Sequence, residues 1–319
     1  MKNKKKTLIY LIGILALVSL ISLFVGSVWV APTELSGNTI IWQIRLPRVV
    51  LSALCGVLLA TSGVILQGIL RNPLADPYIL GVSSGAGIGA AIALSLPFSM
   101  VILGISSIPL FAFVFALASV FVVYRLSYVK GRSAPETLIL AGVAVASFAS
   151  AILSLIIIVS GRLQAIYFWL LGSFSLSSWG DVWNLLPYGL VGIVISYFYS
   201  KELNALLLGE EIALTLGVEV EKIRVRLILV ASLMTAAAVS VSGLIGFVGL
   251  IIPHFVRLLI GPNHRMLIPY SALGGAILLV AADTLARTLF SPMEVPIGVI
   301  MSLVGAPFFL YILRTRAGK

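Results

Sequence analysis

The sequence predicts an all-α polytopic membrane protein of about ten transmembrane helices with both termini cytoplasmic, and three observations carry that prediction. Of 319 residues, 60% are hydrophobic and only 10% are Asp, Glu, Lys or Arg, with a mean hydropathy of +1.16, whereas a soluble domain carries roughly 25% charged residues. Apolar runs separated by charges or Gly/Pro clusters recur ten times along the chain. With the N-terminus inside, a ten-span count places 17 of the 21 Lys and Arg in cytoplasmic loops, as the positive-inside rule requires. A soluble globule is excluded. The net charge of +10 has no polar body to display it, so no nucleic-acid partner is expected.

The first run, Leu8 to Val30, follows Lys2, Lys4, Lys5 and Lys6 like an export signal. It exceeds the roughly 7 to 15 residues of a signal core and reaches the length of about 20 that spans a bilayer. The next runs are Val49 to Leu70, Ile79 to Leu96, Val101 to Tyr124 and Leu138 to Val159. In the third, Gly81, Gly85 and Gly89 recur every four residues, a small-residue stripe for close helix packing. Ile166 to Phe174 is too short to cross and reads as an interfacial or re-entrant helix. Leu185 to Tyr199, Leu227 to Leu244, Phe247 to Ile260, Leu267 to Phe290 and Ile297 to Leu313 complete the ten. Gly243, Gly246, Gly249 and Pro253 mark a place where helix is broken or tightly packed. The whole chain, 1–319, reads as one transmembrane domain with a cytoplasmic hairpin at about 201–226.

Chemistry is sparse. Cys55 is the single cysteine, so the chain builds neither an internal disulfide nor a cysteine metal site. No Gly-x-x-x-x-Gly-Lys-Ser/Thr occurs, so the chain has no phosphate-cradling loop and is not itself an ATPase. His254 and His264 have no further ligands at metal-binding spacing and read as hydrogen-bonding residues near a helix end. No nucleophile elbow paired with a base is found, which excludes an intramembrane hydrolase. Asp283 is the only acid well inside a run, and it pairs with Arg287 four residues on or serves a function of its own. So few intramembrane acids argue against the alternative reading, a secondary carrier or channel not driven by ATP.

Lys201 to Arg226 holds five of the eleven acids and reads as two short helices, the second ended by Gly217 at an αL position. Lys222, Arg224 and Arg226 anchor the following span at the membrane face. Such a hairpin is an ordinary solvated loop or a handle for a soluble partner.

The sequence resembles the FecCD-like permeases of type II ABC importers, which carry cobalamin, ferric siderophores or haem. The resemblance covers essentially the whole chain. Its motifs are Arg45-Leu-Pro-Arg48, Gly63 and Gln67 leading into Arg71-Asn-Pro-Leu-Ala-Asp-Pro77, Leu80-Gly-Val-Ser-Ser-Gly-Ala86, Leu208-Gly-Glu-Glu-Ile-Ala-Leu-Thr-Leu-Gly217, Gly246-Phe-Val-Gly-Leu-Ile-Ile-Pro-His254, His264-Arg265, Ala282-Asp-Thr-Leu-Ala-Arg287 and Glu294-Val-Pro-Ile-Gly298. The resemblance implies the type II importer permease fold, no catalytic residue and no cofactor in this chain, and ATP and Mg on two separate ATP-binding subunits. It also implies a second permease copy or a paralogue, a periplasmic or lipid-anchored binding protein, and a place in a prokaryotic cytoplasmic (inner) membrane.

Residue by residue, it implies an ATPase coupling handle of Leu208, Gly209, Glu210, Glu211, Ala213, Leu214, Leu216 and Gly217, with Glu210 and Glu211 exposed to orient it. Arg45, Arg48 and Arg287, anomalous on the outer side, become docking cations for the binding protein. Asn72, Leu74, Pro135 and Glu136 become the cytoplasmic gate. Phe168, Trp169, Met234 and Met301 touch cargo or simply pack.

Overall fold

The computed structural model describes residues 2–26, 38–97, 101–102, 105–129 and 131–317. The end of the first apolar run, 27–30, and the basic residues Lys130 and Lys319 lie outside them. Helices dominate: α1 (Lys2–Phe24), α2 (Leu46–Ile69), α3 (Val82–Ser95), α4 (Ser107–Ser127), α5 (Pro135–Ser160), α6 (Leu163–Leu170) and α7 (Trp179–Phe198). They are followed by α8 (Ser200–Leu207), α9 (Glu210–Thr215), α10 (Val220–Ser242), α11 (Val248–Ile260), α12 (His264–Thr288) and α13 (Ile297–Ala317). A π-helical turn, Ile40–Arg45, runs directly into α2, and a 3-10 turn, Pro77–Leu80, precedes α3.

Among the described residues seven helical stretches are long and apolar enough to cross a membrane, and three shorter apolar stretches, α3, α11 and Ile297–Tyr311 of α13, accompany them. Each apolar run of the sequence falls on one of these ten, with displaced ends. Polar first turns account for most of the displacement. The seventh helix starts at Trp179 because Ser178 and Asp181 form a reciprocal capping box, and Asn263 caps α12 by accepting from the Arg265 N–H. The start expected at Val101 is a correction. Val101–Ile102 (β1) pairs antiparallel with Ile105–Ser106 (β2), and α4 begins only at Ser107. A second small hairpin, Tyr128–Val129 (β3) with Arg132–Ser133 (β4), joins α4 to α5.

The second helix is the centre. It packs on α12, α10, α7 and α11, and 78% of its span is buried, against 11% for α5. Lipid supplies no hydrophobic drive for such association, so close van der Waals contact has to. Glycine makes that contact available. A β-carbon at Gly56 would collide with the Gly275 carbonyl of α12, and one at Gly63 with the Gly249 carbonyl of α11. Gly85 and Gly89 stand in the same way against the Phe115 and Phe111 carbonyls of α4. Gly81 lies outside the helix: it is the left-handed N-cap residue of α3 at φ 80°, facing Ser119.

Helix is interrupted between α10 and α11, where Gly243 to Phe247 run non-helically. Their backbone groups find partners inside the protein, as the membrane interior demands. The Tyr78 hydroxyl donates to the Ile245 carbonyl and accepts from the Ile245 N–H, at 3.0 and 2.9 Å. Ser173 N–H donates to the Ser242 carbonyl, and Ile297 and Gly298 donate to Gly172 and Leu171. The re-entrant α6, the break and the start of α13 are thus stitched backbone to backbone.

Replacing Gly56 by alanine is expected to lower the thermal unfolding midpoint of the detergent-purified protein, because overpacking against backbone costs about 1–3 kcal/mol. Gly13→Ala, where a β-carbon meets nothing within 4 Å, is expected to leave it unchanged or raise it.

Candidate functional site

The anomalous arginines converge where the N-terminal end of α2 meets the C-terminal end of α12. Arg48 is 6% exposed. Its Nε and Nη2 donate to the Asp283 carboxylate at 2.9–3.0 Å, and its Nη1 donates to Glu294 at 2.9 Å. Arg287 is 4% exposed and donates through Nη2 to the Ser22 hydroxyl and carbonyl of α1 at 2.7 and 2.9 Å. Arg45, equally buried, donates to the carbonyls of Leu23 and Phe24, which end α1. The expected Asp283–Arg287 pair exists but is the longer contact, at 3.4 Å; Arg48 is the chief partner of Asp283. Buried ions persist only when paired and hydrogen-bonded, and this cluster ties α1, α2, α12 and the α12–α13 loop together.

Each of the three arginine forks is engaged within the chain. Three arginines against two carboxylates still leave one positive charge in excess.

At the opposite end, α8 and α9 form the charged hairpin. Leu206, Ala213 and Val220 make a small apolar cluster beneath it. Leu208, Ile212, Leu214 and Leu216 are exposed, at 47–62%. Gly209 and Gly217 bracket α9 with φ of 117° and 81°, conformations that favour glycine. Of the two glutamates, Glu211 is exposed. Glu210 differs from expectation, because its carboxylate pairs with Arg224, itself 3% exposed. Lys222 pairs with Glu219 and holds that carboxyl below its usual range. The eighth helix is fastened to α12 by Asn204, whose Oδ1 accepts from the His264 N–H and receives its Nδ1, at 2.8 and 3.0 Å.

Of the two histidines, His264 begins α12, whereas His254 lies mid-helix in α11, edge-on to Phe308. No group of three His, Cys, Asp or Glu side chains among the described residues is placed to hold a metal.

The two expected gate loops lie near this end. Asn72 accepts through Oδ1 from the Leu74 N–H at 3.0 Å, fixing an Asx turn. Pro135 opens α5 with Glu136 exposed in its first turn. Gly142 of α5 abuts the Ile79 carbonyl, which brings the 3-10 turn and α5 together. Gln67 secures the first loop from behind, donating to the Gly249 and Ala75 carbonyls and accepting from Arg257 at 2.8 Å.

A cavity of about 970 Å³ opens between α4, α7 and α10, lined by Phe113, Tyr188, Trp183 and Ser240 with Phe168 and Trp169 of the α6 helix. Met234 and Met301 are buried at 1%, and Met234 fills the notch at Gly192; both are packing residues. Sequence reasoning missed Glu294 as a partner of Arg48, the Glu210–Arg224 pair and the Asn204 clasp. The ion pairs within one helical turn, Glu221–Arg224, Glu219–Lys222 and Asp283–Arg287, had a local signal.

This is a bundle of apolar helices around a buried α2, with an ion cluster at one end and a charged, leucine-bearing hairpin outside the spans at the other. The chain belongs to the FecCD transport family, whose model matches residues 14–315. It is 49% identical to a cobalamin import system permease protein of Halobacterium salinarum, over 88% of this chain and 75% of that protein. It is 40% identical to a hemin transport system permease protein of Yersinia pestis, over 94% of each. A solved structure described as an inward-facing conformation of a metal-chelate type ABC transporter superposes with a TM-score of 0.89 at 34% identity, covering 98% of this chain and 99% of that one.

Removing Arg48 strips the buried Asp283 of its chief partner and leaves only the longer Arg287 contact, where breaking such a pair costs about 3–5 kcal/mol. Arg48→Met is therefore expected to lower the yield and melting midpoint of purified protein, and Arg48→Met combined with Asp283→Leu to recover much of both.

Proposed function

We propose that this chain is the membrane-spanning permease subunit of an ATP-binding-cassette importer that passes a cobalamin, haem or iron–siderophore type of cargo from a binding protein to the cytoplasm. The observation that carries the reading is α9: a glycine-bracketed helix outside the spans, showing Leu208, Ile212, Leu214 and Leu216 to solvent. A row of exposed leucines on a charged hairpin is costly unless a partner groove receives it. The family relationship supplies the partner, an ATP-hydrolysing subunit, and a second permease copy or paralogue brings two of each together, with ATP and Mg held on the ATPase chains.

In this reading all ten apolar helices cross a prokaryotic cytoplasmic membrane and both termini are cytoplasmic, α3 being lengthened by the 3-10 turn and α11 by the Gly243–Phe247 break. A periplasmic or lipid-anchored binding protein docks on the outer face. The arginine cluster there acts through its one excess positive charge and the potential it spreads, and attraction of this kind steers encounter more than it adds affinity. A carrier driven by ion binding is disfavoured, because the one acid deep in a span, Asp283, is held by two arginines.

Leu214→Asp and Leu216→Asp are expected to abolish ATP-driven uptake in vesicles reconstituted with the ATPase subunits and binding protein, while the permease stays folded. Uptake of cyanocobalamin, haem or a ferric hydroxamate at the wild-type level would overturn the handle assignment. If the Asn72–Leu74 turn closes the inner mouth between two copies, Leu74→Cys in both should form an intermolecular disulfide in at least one nucleotide state. Failure in every state would remove the gate.

A further inference from the structure

We propose that Arg224 relays movement of α9 to the inner end of α5 through a chain of contacts that runs Glu210, Arg224, Glu221, Ser133; the proposal rests on the reading of α9 as the ATPase handle. Arg224 sits in the first turns of α10 and is 3% exposed, unusual for a residue that is almost never buried without partners. Its Nη2 donates to the Glu210 carboxylate on α9, and its Nη1 donates to Glu221 at 2.7 Å. The other oxygen of Glu221 accepts from the Ser133 hydroxyl at 2.7 Å and from its N–H at 3.2 Å. One planar guanidinium thus holds two carboxylates in fixed mutual position, a service a lysine cannot give. One positive charge between two negative ones leaves an excess, and the two Ser133 donors meet it.

Both ends of the chain are built to move. The ninth helix lies between glycines in left-handed conformations and rests on the body through only a small apolar cluster. Ser133, fully buried, stands two residues before Pro135, the first residue of α5. Few side chains of α5 are buried within the chain, and its inner end is attached at Ser133, at the fully buried Leu138 and where Gly142 meets the Ile79 carbonyl. A displacement of α9 then either carries Glu221 and Ser133 with it or separates Glu210 from the buried Arg224 guanidinium, which loses one of its two carboxylates, and the second course is the more expensive. On the reading of Pro135 and Glu136 as part of the gate, the relay joins the site that takes up force to the site that opens.

The test uses the permease reconstituted in vesicles with its ATPase subunits and binding protein, and reads ATP hydrolysed per cargo molecule imported. Ser133→Ala removes the hydroxyl donor, and Glu221→Gln weakens the link to Arg224. Each is expected to raise that ratio about tenfold, the scale of a lost hydrogen bond to a charged group, with a near wild-type melting midpoint. Ser133→Thr keeps the hydroxyl and is expected to restore the ratio. A wild-type ratio in both Ser133→Ala and Glu221→Gln, or equal loss in Ser133→Ala and Ser133→Thr, would overturn the relay. Failure of the handle reading looks different: Leu214→Asp would then import normally, whereas an impaired Leu214→Asp beside a normal Ser133→Ala rejects the relay alone.

Discussion

Backbone-to-backbone contact of α2 with α12 and α11 is the constraint on which the rest of the structure depends. In hydrocarbon, leucine gains nothing by leaving lipid for a neighbouring helix, so association rests on how closely two surfaces approach. Gly56 on Gly275 and Gly63 on Gly249 allow the closest approach available. With those contacts made, α2 is enclosed by four helices, and its polar residues can be kept only where they are bonded inside the protein. Ser62 donates to the Ala231 carbonyl and Gln67 bridges two backbone segments and Arg257.

The polar clusters follow from this placement. At one end of α2, Arg48 meets Asp283 and Glu294; near the other, Gly68 meets His264 and Leu203, the one clasped by Asn204 and the other itself part of α8. Both clusters use residues of α12. The α2–α12 pair therefore spans the distance between the outer ion cluster and the inner hairpin as one stiff unit. By contrast few side chains of α5 are buried within the chain, and the charged link through Arg224 reaches the turn that precedes it.

Much of this was legible in the sequence because membrane helices announce themselves by composition. The apolar runs, the nine-residue piece that became α6, the small-residue spacing at Gly85 and Gly89, and the two short helices around Gly209 all follow from local pattern. The helix ends were less legible, since Ser178, Asp181 and Asn263 are polar residues that begin helices, and a hydropathy reading stops short of them. The partners of the charges were legible only where they sit within one turn. Arg48 and Asp283 are 235 positions apart, and no spacing rule joins them; an unpaired arginine on the wrong side of the membrane was a sign that a partner existed, without saying that it lay within the same chain. Likewise the exposed leucines of α9 could be read from pattern, while the pairing of Glu210 with a buried arginine could not.

The enclosure of α2 also restricts how this chain can change length. Deleting one residue from an α-helix turns everything beyond it by about 100° and draws it in by about 1.5 Å. In a helix with a lipid-facing side, part of such a rotation is absorbed by exchanging one apolar residue for another. In α2 it would swing Gly63 off the Gly249 carbonyl and present a branched side chain to backbone, while carrying one end cluster out of register with α12. Insertions and deletions therefore belong in the connections, such as those between α3 and α4 and between α12 and α13, and α2 can drift only by substitution, one position at a time.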